Sequence, residues 1–330
     1  MSYVMSAIAD DRVRASRSSR TRSGLGFALV AAGTFGMSGA LASGLLVNDW
    51  TPGAVVLARI TIAALVVLPF GLRALRGRWH LLRAGWRTVV VYGLVAVAAT
   101  QFFFFSAVSH MQVGPALLIE YTAPAAIVLW LWLRHGERPS PVTLVGAGVA
   151  GLGLVLVLDL VSGAELSLVG VAWSLAAMVG CAIYFVLSAD EGNGLPPIAL
   201  AAAGLVVGAV SLGLLGLVGL LEMGASTSQV TLAGNQVDWW VPVLLLGVVT
   251  AAVAYVAGIA ASRRLGSRLA SFVALSEVVF GVLWAWVLLD ELPRLIQLLG
   301  GVLILAGVVS VKLGERSVVT AAAEAPESTA

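Results

Sequence analysis

Three ionisable side chains stand where an apolar chain has least reason to carry them. Arg59, Glu120 and Glu277 each lie inside a long run of hydrophobic residues. In hydrocarbon such a charge costs about 2.5–3.5 kcal/mol or more, which makes its carrier a candidate for a working site. Two carboxylates brought together away from water suit a carrier that moves protons with its solute. Arg59 is permanently charged and presents a planar donor fork. It either grips a carboxylate on a solute or locks a carboxylate of the chain, such as Glu120. Four neutral groups with polar tips, Gln101, Tyr121, Tyr184 and Tyr255, also fall in mid-run. Aromatic walls with a few polar groups form pockets for small organic solutes, and the same groups serve equally well as hydrogen bonds between helices.

The elements that must position these residues follow from composition. Of 330 residues, 60% are hydrophobic and 11% charged, with 19 Lys and Arg against 17 Asp and Glu and a mean hydropathy of +1.01. Soluble domains average about 45–50% apolar and about 25% charged residues. This excludes a soluble globular enzyme, a nucleic-acid binder, a disordered chain and a disulfide scaffold. The single cysteine, Cys181, reads as a packing residue. Apolar runs of about 20 residues cross a hydrocarbon core roughly 30 Å thick as helices. They do not alternate as barrel strands would.

The expected fold is therefore an all-α membrane protein of ten transmembrane helices, at 25–47, 53–72, 88–108, 113–133, 141–158, 168–188, 196–221, 241–262, 269–289 and 295–313. A basic tail, 1–24, precedes them and a flexible tail, 314–330, follows. With the N-terminus inside, every one of the 19 Lys and Arg except Arg59 and Arg294 lies in a cytoplasmic segment or, for Lys312, at the cytoplasmic end of the tenth span. The expectation is a multi-pass protein of the cytoplasmic membrane with both termini cytoplasmic. Ala40-Leu41-Ala42 resembles a signal-peptidase site. The apolar run continues to Val47, beyond the roughly 7–15 residues of a signal peptide, so the segment reads as the first helix.

A shift of 154 residues superposes the third to fifth spans on the eighth to tenth without a gap. Gly93 then falls on Gly247, Gln101 on Tyr255, and Trp130 and Trp132 on Trp284 and Trp286. Glu137 and Pro139 meet Glu291 and Pro293, and Gly146 and Gly153 meet Gly300 and Gly307. Glu277 falls on Ala123, three residues past Glu120 and so on the same helical face. The two carboxylates would thus approach one cavity from opposite repeats. Five spans per repeat is an odd number, so the second repeat must be inverted. Arg134 and Arg138 beside Glu137 become Leu288 and Leu292 beside Glu291, as expected if that loop lies outside. Inverted repeats are the usual construction of secondary transporters.

Glu120-Tyr121-Thr122-Ala123-Pro124, Glu137 and the Gly146–Gly153 run resemble the first unit of the EamA family of the drug/metabolite transporter superfamily. Trp173, Tyr184, Glu291 and the Gly300–Val308 run resemble its second unit, and Arg59 matches a basic position common in the family. The resemblance covers 25–313, and the Glu-Tyr-Thr-Ala-Pro run is also similar to inner-membrane threonine/homoserine exporters. It implies two EamA units, 25–158 and 168–313, a central cavity reached by alternating access, and a hinge at Pro124. It favours Arg59 as a lock, since members with varied substrates carry a base nearby. Many members have Pro where this chain has Val278, which weakens any hinge in the ninth helix.

Other patterns read as structure. Gly146-Ala147-Gly148-Val149-Ala150-Gly151 matches a dinucleotide fingerprint, but it lies inside an apolar span and fits helix packing. His80, His110 and His135 have no metal spacing, and no nucleophile motif occurs, so no enzyme, metal or cofactor is expected. Phe102–Phe105 read as packing and lipid contact, and Trp130, Trp132, Trp284 and Trp286 as interfacial anchors. The expected function is secondary active export of a small metabolite, an amino acid or related solute, with proton coupling through Glu120 or Glu277. A drug or hydrophobic-cation efflux carrier of the same fold is the alternative, and a non-transporting membrane sensor a distant one. The expected partners are a small solute, protons and the lipid bilayer, with no nucleic acid, in a monomer or homodimer.

Overall fold

In hydrocarbon a backbone has no water to bond, so each crossing segment must satisfy its own amides. The computed structural model describes residues 2–123, 140–157, 167–190, 192, 194–296, 298–307 and 309–310, and helices dominate them. α1 (Ser2–Leu46) continues unbroken through the Arg-rich segment into the first apolar run. α2 (Pro52–Ala74) begins where Thr51 caps the Ala54 N–H through its hydroxyl, at 3.4 Å, with proline at the first helical position. Gly77, at φ 72°, turns the chain into the short α3 (Trp79–Ala84).

α4 (Trp86–Val91) and α5 (Thr100–Val108) are joined by a π-helical stretch, Tyr92–Ala99. α6 (Val113–Glu120), α7 (Pro141–Val157), α8 (Leu168–Ala189) and α9 (Pro197–Leu217) follow. A hairpin, β1 (Val230–Leu232) and β2 (Asn235–Val237), occupies the long connection before α10 (Trp240–Gly247). A second π-helical stretch, Val248–Val253, leads into α11 (Ala254–Val273). α12 (Ser276–Leu289) and α13 (Leu298–Gly307) close the described chain.

Among the described residues six stretches are long and apolar enough to cross a membrane: Thr21–Leu46, Pro52–Ala74, Trp86–Val108, Leu168–Ala189, Pro197–Leu217 and Trp240–Gly266. Pro141–Gly153, Ser276–Leu289 and Leu298–Gly307 are shorter apolar helices. Each expected span overlaps one of these except the fourth, 113–133, which is described only to Ala123. Pro124, Trp130, Trp132 and Glu137 lie outside the described residues.

Three details depart from the sequence reading. The seventh helix ends at Leu217 instead of 221. The eighth and ninth spans are joined without a loop, because Gly266 alone, at φ 77°, turns the chain between them. Trp284 donates its indole N–H to the Gly33 carbonyl at 3.1 Å, so it ties α12 to α1 where an interfacial anchor was expected.

The two π-helical stretches occupy equivalent places, since Tyr92–Ala99 shifted by 154 covers 246–253. The helical interruptions after α6 and after α11 also coincide, at Tyr121 and Leu275. α1 packs on α11 and α12, α2 on α9, and α8 on α5, α6 and α11. The hairpin seals one end of this bundle. Val230 is fully buried, Ala233 N–H donates to the Leu288 carbonyl at 2.8 Å, and Trp50 Nε1 donates to the Ser226 carbonyl at 2.9 Å.

Close approach of α7 and α13 requires glycine at Gly153 and Gly307. A side-chain carbon at Gly153 would lie 2.6 Å from the Gly300 carbonyl oxygen, and one at Gly307 2.5 Å from Gly146 O. Gly148 and Gly151 have no described atom that close. Gly153→Val or Gly307→Val should therefore force the helices apart, at a cost of about 1–3 kcal/mol, and lower the detergent melting temperature. Gly148→Ala and Gly151→Ala should leave it unchanged.

Candidate functional site: a cavity between the repeats

The two helical interruptions place carboxylates at the middle of the bundle. Glu120 ends α6 just before its break, and Glu277 opens α12 just after the other. Broken helices at mid-membrane are where transporters commonly build their sites. Tyr121, on the turn after Glu120, donates its hydroxyl to Glu277 Oε2 in a short hydrogen bond that joins the first repeat to the second.

These groups share the wall of one cavity with Gln101, Tyr184 and Tyr255. Six of the seven candidates therefore meet there. Its volume of about 60 Å³ holds only a few water molecules. Ala28, Ala31 and Ala32 of α1 and Gly258 and Ala261 of α11 supply a floor of small residues. Three rings form an edge-to-face group on the wall: Phe35 to Tyr255 at 5.1 Å, Phe35 to Tyr184 at 6.4 Å, and Tyr184 to Tyr255 at 6.0 Å.

Arg59, the seventh candidate, stands behind this wall. It is 0% exposed and is not among the residues that line the cavity. One arm of its fork donates to Gln101 Oε1, and the other to the Thr250 carbonyl at 2.6 Å. Phe35 and Phe105 rings lie 5.8 and 5.3 Å from the guanidinium carbon, close enough for cation–π attraction. The bond to Gln101 engages the amide oxygen of a residue that lines the cavity.

The π-helical stretches contribute here too. Thr250 belongs to the second, and its repeat equivalent Ala96 belongs to the first. The Ala96 carbonyl accepts the Tyr255 hydroxyl at 3.4 Å. One carbonyl from each π stretch thus takes a side chain of the opposite repeat, and π segments recur at functional sites in other helices. The repeat alignment paired Gln101 with Tyr255, but nothing local marked Ala96 or Thr250. Phe35, Thr100 and Ser262 on the wall also lacked a sequence signal, being ordinary residues in apolar helices. Among the described residues no cluster of three His, Cys, Asp or Glu suits a metal ion.

The long apolar helices and the polar cavity between them define a multi-pass membrane transporter. The family profile of the EamA-like transporters matches residues 22–159 and again 168–313, and the chain belongs to that family. It is 29% identical over 250 residues to an uncharacterized transporter of Archaeoglobus fulgidus, covering 76% of this chain and 83% of that protein. A solved crystal structure superposes with a TM-score of 0.60 at 23% identity, over 91% of this chain and 99% of the other, and so shares its fold.

Arg59→Met should leave the buried Gln101 and Thr250 oxygens without their donor. Each orphaned group costs about 1–3 kcal/mol, so detergent thermal unfolding should show a clear loss of stability. Arg59→Lys should recover only part of it, because an ammonium cannot span both acceptors as a planar fork does. An unchanged melting temperature in Arg59→Met would remove the locking role.

Proposed function

We propose that this chain is a secondary active transporter that exports a small metabolite, an amino acid or related solute, across the cytoplasmic membrane. Ten helices in two inverted five-helix repeats carry it through alternating access, with both termini cytoplasmic. The observation that carries this reading is the meeting of Glu120 and Glu277, one from each repeat, on one cavity, with Tyr121, next to Glu120 in the chain, hydrogen-bonded to Glu277. A cavity of about 60 Å³ is too small for an amino acid. The solute therefore enters only after the walls separate, and breaking the Tyr121–Glu277 bond is the natural first event. Pro124, three residues after Tyr121 in the sequence, is proposed as the hinge.

The solute is recognised through an ammonium group. Two carboxylates and the Phe35, Tyr184 and Tyr255 rings suit a cation, while the permanent charge of Arg59 is already engaged behind the wall. Gln101 offers an amide donor to a carboxylate, so a zwitterion fits. The same placement of Arg59 supports the second reading, efflux of a hydrophobic cation, which needs no anion-binding group. Either Glu120 or Glu277 exchanges its proton for the ammonium, which couples export to the proton gradient.

Proteoliposome flux tests both readings. Wild-type protein should move amine-bearing solutes, and a pH gradient should accelerate them. Glu277→Gln and Glu120→Gln should abolish the response to the gradient and reduce flux by roughly 10- to 100-fold, the loss of about 1.4–2.8 kcal/mol of binding. Flux that is unchanged in both variants removes the coupling role. Transport of hydrophobic monocations with none of amino acids would select the efflux reading.

A further inference from the structure

A second cavity, which shares no lining residue with the first, lies where α2, α4 and α9 meet beside the short helix α3. Its volume is about 310 Å³, and every lining residue is apolar. It holds no carboxylate, amide or hydroxyl with which to bind a transported solute. What distinguishes it is the chain around its mouth. Leu72, Leu75, Trp79, Leu82 and Trp86 line it, and each is the immediate neighbour of an arginine: Arg73, Arg76, Arg78, Arg83 and Arg87. All five arginines are exposed, and residues 73–87 contain no acidic side chain.

The apolar interior and the cationic rim match the two halves of one molecule. We propose that this cavity is a binding site for an anionic diacyl phospholipid of the surrounding leaflet. One acyl chain enters between α2 and α9, and the phosphate sits among the arginines of the α3 loop. Trp79 and Trp86 are 49% and 55% exposed at its mouth, and indole rings favour the headgroup boundary. Arg87 already lies over the Trp86 ring, 5.6 Å from its centroid, which holds that guanidinium beside the mouth. Basic clusters next to membrane helices recognise anionic headgroups, and an apolar pocket beside such a cluster selects a lipid over a free anion. The site is separate from the solute cavity, so it stands whether or not the proposed transport is correct.

Native mass spectrometry of the intact protein in detergent tests this directly, with phosphatidylglycerol and phosphatidylcholine of identical chains added in equal amounts. The expected result is retention of one phosphatidylglycerol, with a preference of roughly fivefold for each arginine engaged, the selectivity that about 1 kcal/mol per basic side chain gives at a lipid surface. Arg78→Gln, Arg83→Gln and Arg87→Gln combined should remove the preference. Val206→Phe, which fills the cavity from α9, should remove retention of both lipids while leaving the arginines in place. Ala203→Leu serves as a second filling variant, and size exclusion with circular dichroism verifies folding of each. Equal retention of the two lipids, retention that survives cavity filling, or full competition by soluble glycerol phosphate would each overturn the proposal.

Discussion

A guanidinium without access to water must be solvated by the protein itself, and the centre of this bundle is arranged to do that. Arg59 has an amide oxygen, a backbone carbonyl and two aromatic faces in place of a hydration shell. An α-helical carbonyl is normally committed to its own helix, so the acceptor comes from a π-helical stretch, where the wider turn alters that pairing. The arginine therefore fixes three things together: the local path of the eighth span, the orientation of Gln101, and the distance between α2 and the second repeat. With both arms of its fork engaged by Gln101 and Thr250, the charge sits behind the cavity wall and does not line it.

The remaining packing follows from holding two repeats against this centre. Lipid tails are as apolar as leucine, so helices gain little from hiding hydrophobic surface and depend on close backbone approach. Gly153 and Gly307 provide it at the edge of the bundle. Near the centre, Gly258 brings its backbone against the Tyr184 hydroxyl and leaves no room for a side-chain carbon. The hairpin performs the complementary task at one end, covering α1 and α12 with buried Val230 and Leu232.

The two cavities solve opposite physical problems. The central one is small, ringed by carboxylates and aromatic rings, and joined across the repeats by Tyr121 and Glu277. In the proposed alternating access, this single hydrogen bond between the repeats is the contact that has to break as the walls separate. The peripheral cavity is larger and contains nothing polar to exchange. Its chemistry is that of a fixed companion, and its rim is charged where the central wall is not basic.

Composition and charge placement alone determined that this is a helical membrane protein, and the 154-residue repeat brought Glu120 and Glu277 onto corresponding faces before any coordinates. Those signals are legible because the bilayer imposes long apolar runs and because repeats preserve spacing. The family profile matches the chain twice, over 22–159 and 168–313. Tertiary structure decided what spacing cannot carry. It turned Arg59 away from the cavity, opened the carbonyls of Ala96 and Thr250 across the repeats, drew Trp284 inward to Gly33, and folded the 222–240 connection into a hairpin. Each depends on which neighbour lies opposite a side chain or carbonyl, and a one-dimensional pattern records the face of a helix but not the partner that comes to meet it.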